Sequence, residues 1–142
     1  MTYLLSKIRI AALAFPGLTN LLGGAAPNQF RWSENQLVQG VAFPAVVVTL
    51  ISDPRDYVFL NRMATSFARV QFEVWGYDPV ANDAIVGQLA AFLDQFNAYG
   101  IPGLILNANF IANDRSTMYA MTQPPQYQRV IDARIFNNES TA

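Results

Sequence analysis

Residues Phe67 to Phe96, FARVQFEVWGYDPVANDAIVGQLAAFLDQF, change hydrophobic period half-way along. Ala68, Val70, Phe72 and Val74 alternate with Arg69, Gln71, Glu73 and Trp75, the period-two pattern of a strand with one buried face. Gly76 and Tyr77 interrupt it, and Asp78-Pro79 opens a helix. An aspartate there accepts a hydrogen bond from an orphan N–H, and a proline at the first helical position has no N–H to waste. Ala81, Ile85, Leu89, Phe92 and Phe96 then recur every three or four residues, the spacing of an apolar helical stripe. Asn97-Ala98-Tyr99-Gly100 followed by Pro102-Gly103 ends the helix. A strand with one oily face running into a helix with one oily stripe is the smallest sheet-plus-helix core, and the other segments must dock onto it.

They are predicted as follows. Residues 2 to 15 form an amphipathic helix capped by Thr2, with Leu4, Ile8, Ala11, Ala12 and Phe15 on one face and Lys7 on the polar side. Pro16-Gly17 breaks it, and Thr19 to Leu22 adds a helical turn before Gly23-Gly24. Gly23 to Gly40 is polar and turn-rich and long for a loop; Phe30-Arg31-Trp32 within it pairs briefly as a strand, and its aromatic and arginine content suits a contact surface. Pro44 to Ser52 is a valine-rich strand covered on both faces. Ser52 to Ser66 is a projecting hairpin loop with its tip near Phe59 to Arg62. Leu104 to Ile111 alternates as a strand, Asn113-Asp114-Arg115-Ser116 is a turn, and Thr117 to Met121 returns briefly. Tyr127 to Phe136 is the last strand, with Tyr127, Arg129, Ile131, Ala133 and Ile135 facing one way, and 136–142 is a frayed tail. No repeat or linker divides the chain. The expectation is one α+β domain over residues 1–142: a mixed, largely antiparallel sheet of four or more strands, with the N-terminal and central helices packed on it.

Composition narrows the function. Hydrophobic residues are 52% of the 142 and charged residues 13%, about half the usual charged share. A small domain this poor in charge is expected to bury surface against other chains. Of the nine basic residues eight are arginine; interfaces favour arginine for its planar fork, and GC-rich codon use gives the same bias. The net charge of −1 gives no general pull toward nucleic acid or anionic lipid. Cysteine and histidine are both absent, which removes thiolate chemistry, disulfides, the commonest general base and the commonest transition-metal ligand. No run reaches the roughly 20 apolar residues of a membrane span, and the N-terminus, with Leu4-Leu5 ahead of Lys7 and Arg9 and Pro16-Gly17 soon after, does not read as a signal peptide. Synthesis in the cytoplasm, without membrane attachment, is expected.

The chemistry that remains is thin. Asp53 and Asp56 flank Arg55 in one loop, but two carboxylates beside an arginine make a solvated turn more readily than a hard-cation cage. No glycine-rich loop has phosphate-cradling spacing. No catalytic, metal or cofactor residue is assigned. Strand-borne Arg69, Glu73, Arg129 and Arg134 read as charges on an open sheet face, and in a ring such residues pair across the subunit boundary. Together with Arg31, Trp32, Arg55, Arg62 and Arg115 they are the candidate residues for contacts with neighbouring subunits or partners.

The order of elements also resembles a known family. A proline-led valine strand, FPAVVVTLIS, precedes ARVQFEVWGYDP, which runs into VANDAIVGQLAAFLDQF, and RVIDARIFNN closes the chain. This is similar to the tail completion and tail terminator proteins of tailed bacteriophages, over roughly Leu4 to Asn138 and most specifically at the strand–helix junction Val70 to Leu89. The resemblance implies a small mixed sheet flanked by helices and a homo-oligomeric, sixfold ring at the head-proximal end of the tail. That ring caps the tail tube, stops its polymerisation and joins it to the neck, connector or head-completion protein, while DNA passes through the lumen without sequence-specific binding. It implies a virion location after assembly in the host cytoplasm, and loops such as Ser52–Ser66 and Asn113–Gln126 facing tube or connector. The segment Gly23–Gly40, with Trp32, is longer than the family's usual link. Another neck or tail-tube ring component, and a small cytosolic ligand-binding or enzymatic domain, are the alternatives.

Overall fold

The computed structural model describes residues 2–24, 26, 29–37, 40–52, 57, 58, 61, 62, 65–99, 109–121 and 124–138. Helix α1 spans Thr2–Leu13 and a short α2 spans Pro16–Thr19. Strands β1 (Trp32–Glu34) and β2 (Ala45–Ser52) follow, then a small hairpin of β3 (Tyr57–Val58) and β4 (Asn61–Arg62). Strand β5 (Thr65–Gly76) leads into helix α3 (Pro79–Tyr99), and β6 (Asn109–Tyr119) and β7 (Gln126–Asn138) complete the chain. The main sheet has the order β1-β2-β5-β7-β6. Only the β1–β2 pair is parallel; the others are antiparallel. The expected mixed, largely antiparallel α+β sheet is therefore present, with both longer helices packed on one face.

The β5–α3 unit follows its sequence closely. Ala68, Val70, Phe72 and Val74 are fully buried, and Ile85, Leu89 and Phe92 of α3 are buried with them. Asp78 Oδ1 accepts from the Val80 N–H at 3.0 Å, the cap that starts α3. The register sets Phe72 against Val48 and Ile131, and Val70 against Leu50 and Ala133, so three strands give the helices one continuous apolar surface. Each large side chain buried there contributes about 1.5–3 kcal/mol relative to exposure.

Four expectations change. Asn113 to Ser116 is not a turn: β6 runs straight through it with one register shift between Ile111 and Asn113, because its charges are satisfied by residues of β7. Its predecessor, the expected strand over 104–111, lies largely outside the described residues. Strand β7 continues to Asn138, paired with the start of β5, so the first residues of the expected tail are sheet. Lys7 is buried, sharing the face of Leu4 and Ala11 three and four residues away. Finally, Phe30 and Trp32 do not form a contact surface. They stack on each other with centroids 5.4 Å apart, and Trp32 packs edge-on against Phe72 at 6.0 Å. Trp32 is 5% exposed, a core residue brought in by the parallel β1–β2 pairing that non-local contacts alone create.

Candidate assembly surface

The face of the sheet opposite the helices carries a polar layer in two parts. Odd-numbered residues of β5 and even-numbered residues of β7 point to it. In the first part, Arg69 donates to Asp132 Oδ2 at 3.1 Å and Arg115 reaches the same oxygen at 3.5 Å. Asp132 is 2% exposed and both arginines are half-exposed. Its Oδ1 has no partner among the described residues, an exception to the usual pairing of buried polar atoms. In the second part, Tyr119 donates to Gln128 Oε1 at 2.9 Å, and Gln128 Nε2 donates to Glu73 Oε1 at 2.6 Å. Trp75 stacks on Tyr119 at 5.4 Å across the intervening strand. These ties cross three strands and pin the end of β6 to the sheet.

On the helix side the same strands meet α3. Arg129 lies in register with Val74. Its guanidinium donates to Asp114 Oδ1 and Oδ2, both at 2.8 Å, and also to Asp83 of α3. The Asp114 hydrogen bonds chiefly hold its pKa above the ordinary arginine value; partial burial pulls the other way, and the fields of Asp114 and Asp83 add to the rise. Beside this triad a cleft of about 520 Å³ opens between the start of α3 and the β6–β7 hairpin, lined by Pro79, Asn82, Met118 and Tyr127 among others. A smaller one of about 170 Å³ lies between Phe43, Pro44 and Tyr77 on the other side of Asn82. Asn82 separates them: its Nδ2 donates to the Tyr127 carbonyl at 3.0 Å, and its Oδ1 is buried without a partner among the described residues, hard against Gly76.

The candidate contact residues are thus distributed unevenly. Arg69, Arg115 and Glu73 share the helix-free face, and Arg134, exposed and in register with Arg69, lies on it too. Arg129 is on the opposite face. Arg31 is partly buried and serves the chain itself, its Nε donating to the Pro44 carbonyl at 2.6 Å and its NH2 to the Leu21 carbonyl at 3.4 Å. Trp32 is in the core. Arg62 sits on β4, of whose side chains nothing is described, and Arg55, with Asp53 and Asp56, lies outside the described residues. Asp132, Gln128, Asp83, Asp114 and Asn82 were not singled out by the sequence. Asp132 left one trace, an acid inside the otherwise β-branched RVIDARI.

Among the described residues no three or more acidic side chains are grouped to hold a metal ion, and no helix is long and apolar enough to cross a membrane. No family model matches this chain, and no curated protein does. Among solved structures, it is similar to a chain of the virion of the native gene transfer agent (GTA) particle, with a TM-score of 0.49 and 13% identity over 92% of this chain and 91% of that one. A likeness at that level assigns neither a residue nor a role.

Proposed function

We propose that this protein is a structural virion protein of a tailed phage or phage-like particle. In this reading it is a subunit of a homo-oligomeric, six-membered ring at the head-proximal end of the tail, where it ends tube polymerisation and joins the tail to the neck or connector. The observation that carries an assembly role is strand β6. It is an edge strand of eleven residues, its half from Asp114 onward exposed, and Met118 and Tyr119 are exposed at its end. Monomers normally blunt such edges with lysine or other charges, proline or a bulge; the register shift of β6 falls between Ile111 and Asn113, ahead of its exposed half. This one has no lysine or proline, and its two charges, Asp114 and Arg115, are both engaged by β7. Among the described residues no strand pairs with the outer side of β6, and such an edge on a chain this poor in charge suits a subunit whose edge is covered by neighbours. The terminator role within that class comes from the resemblance of the strand–helix junction and the order of elements.

The test is tube polymerisation imaged by negative stain with and without the protein. The expected result is tubes of uniform length bearing a ring at one end only. Decoration along the tube would assign a tube or sheath component instead. A monomer that leaves the tubes unchanged overturns the reading.

A further inference from the structure

We infer that the neighbouring charges Asp114 and Arg115 are a register lock: they hold the exposed half of β6 one residue out of step with its first half, and so decide which face of the sheet each side chain of that half occupies. The inference rests on the proposed assembly role only for its consequence, the arrangement of side chains along the edge that a neighbour would cover. The lock itself needs no neighbour.

Two registers of β6 on β7 compete. Up to Ile111 the pairing is Phe110 with Arg134 and Ile111 with Ala133; from Asn113 it is Asn113 with Asp132, Asp114 with Ile131 and Arg115 with Val130. Consecutive residues of β7 thus face residues two apart on β6, and Ala112 has no partner on β7. Such a bulge interrupts the ladder. A straight continuation would keep the ladder whole, and would set Asp114 against Val130, Arg115 against Arg129, Thr117 against Tyr127 and Met118 against Gln126. The apolar pattern does not choose between the two. Ser116-Thr117 and Met118-Tyr119 put one residue of each kind on either face in both registers, and a strand without alternation is weakly specified in register.

Charge does choose. In the observed register Asp114 lies diagonal to Arg129 on the helix side and accepts two hydrogen bonds from it, both at 2.8 Å. Arg115 lies diagonal to Asp132 on the other face, 3.5 Å from its Oδ2. The straight register reverses both: Arg115 comes directly opposite Arg129, and Asp114 falls diagonal to Asp132. Like charges directly opposite each other destabilise an antiparallel pair. The two charges on β7 are the sheltered ones, Arg129 24% and Asp132 2% exposed, so solvent screens them less than it screens a surface pair. Both charges in the exposed half of β6 therefore favour the bulged register. That register keeps Met118, opposite Tyr127, on the α3 side and Tyr119 on the helix-free face, stacked on Trp75. One step of register would exchange them.

The chain has no cysteine, so introduced pairs report the register. Met118→Cys with Tyr127→Cys stand opposite each other in the observed register, and Thr117→Cys with Tyr127→Cys only in the straight one. Opposed positions lie within disulfide reach, and positions on opposite faces do not. In a glutathione buffer, with disulfide content read by mass spectrometry, the first pair is expected to close and the second to stay open. The swap Asp114→Arg with Arg115→Asp leaves composition and net charge unchanged and is expected to invert this preference, moving the ratio of the two yields by about tenfold or more. A swapped chain that folds, by circular dichroism, and still closes the first pair as wild type does overturns the inference. Asp114→Ser with Arg115→Ser keeps the test open where the swap prevents folding: it removes the lock without adding a clash, and the ratio is expected to move toward parity. A ratio equal to that of wild type overturns the inference. Tube capping separates the lock from the assembly role. A swapped chain that inverts its register and still caps tubes keeps the lock and removes the β6 edge from the contact. One that keeps the wild-type register and caps tubes overturns the lock and leaves the assembly role standing.

Discussion

Replacing Gly76 by alanine is expected to destabilise the protein through one neighbour, and removing that neighbour is expected to relieve most of the effect. Gly76 ends β5 with an ordinary negative-φ backbone, since the positive-φ glycines are Gly23, Gly24 and Gly40. Alanine in a strand at such a position normally stabilises by about 0.4–1 kcal/mol through the unfolded chain. Here the added Cβ would run into Asn82 Oδ1 and lie 3.3 Å from Asn82 Cγ. Asn82 is buried and held to the Tyr127 carbonyl, so it has little room to yield. Overpacking of this kind costs about 1–3 kcal/mol, which outweighs the gain. Gly76→Ala alone should then cost about 1–2 kcal/mol. Asn82→Ala alone loses one hydrogen bond, worth about 1 kcal/mol, but also removes a buried acceptor that has no partner, and should cost about 1 kcal/mol or less. In the double variant the new methyl group enters the space the amide leaves. The double should therefore be more stable than the sum of the singles by about 1–2 kcal/mol, a coupling well outside the additivity error of distant sites. Urea unfolding followed by tryptophan fluorescence measures all four corners; at a slope of about 2 kcal/mol/M the Gly76→Ala midpoint falls by about 0.5–1 M. Additive singles, or a Gly76→Ala protein as stable as wild type, would refute the close approach between β5 and α3.

Two simpler changes test the core and the helix start. Phe72→Ala, at the centre of the helix-facing surface and fully buried, should cost about 3–5 kcal/mol, seen as a large fall in the urea midpoint. Asp78→Ala should cost about 1 kcal/mol by removing the hydrogen bond to the Val80 N–H, with Asp78→Ser or Asn restoring most of it in the same assay.

The site was less legible than the fold, and the residues show why. The alternation of β5, the stripe of α3 and the cap at Asp78 are signals carried within a few residues of chain, and they survive folding unchanged. The turn expected at Asn113 to Ser116 failed because asparagine, aspartate and serine are turn formers only while nothing else claims them. Arg129 and Asp132, more than a dozen residues away in sequence, hold Asp114 and Arg115 in a strand. Trp32 was assigned to a surface because a polar, glycine-rich neighbourhood surrounds it; the parallel pairing with β2 carries it under the sheet to Phe72.

By itself the sequence determined the class of core, a strand with one apolar face joined to a helix with one apolar stripe, and it ruled out thiolate and imidazole chemistry. Hydrophobic period and residue type are local properties, readable without a partner. The tertiary structure decided which edge strand is long and unpaired among the described residues, and that Arg69 and Arg115 converge on Asp132 while Asp83 and Asp114 converge on Arg129. Those are facts of strand order and register, set when segments distant in the chain pair and one shift of register redirects every side chain along a strand.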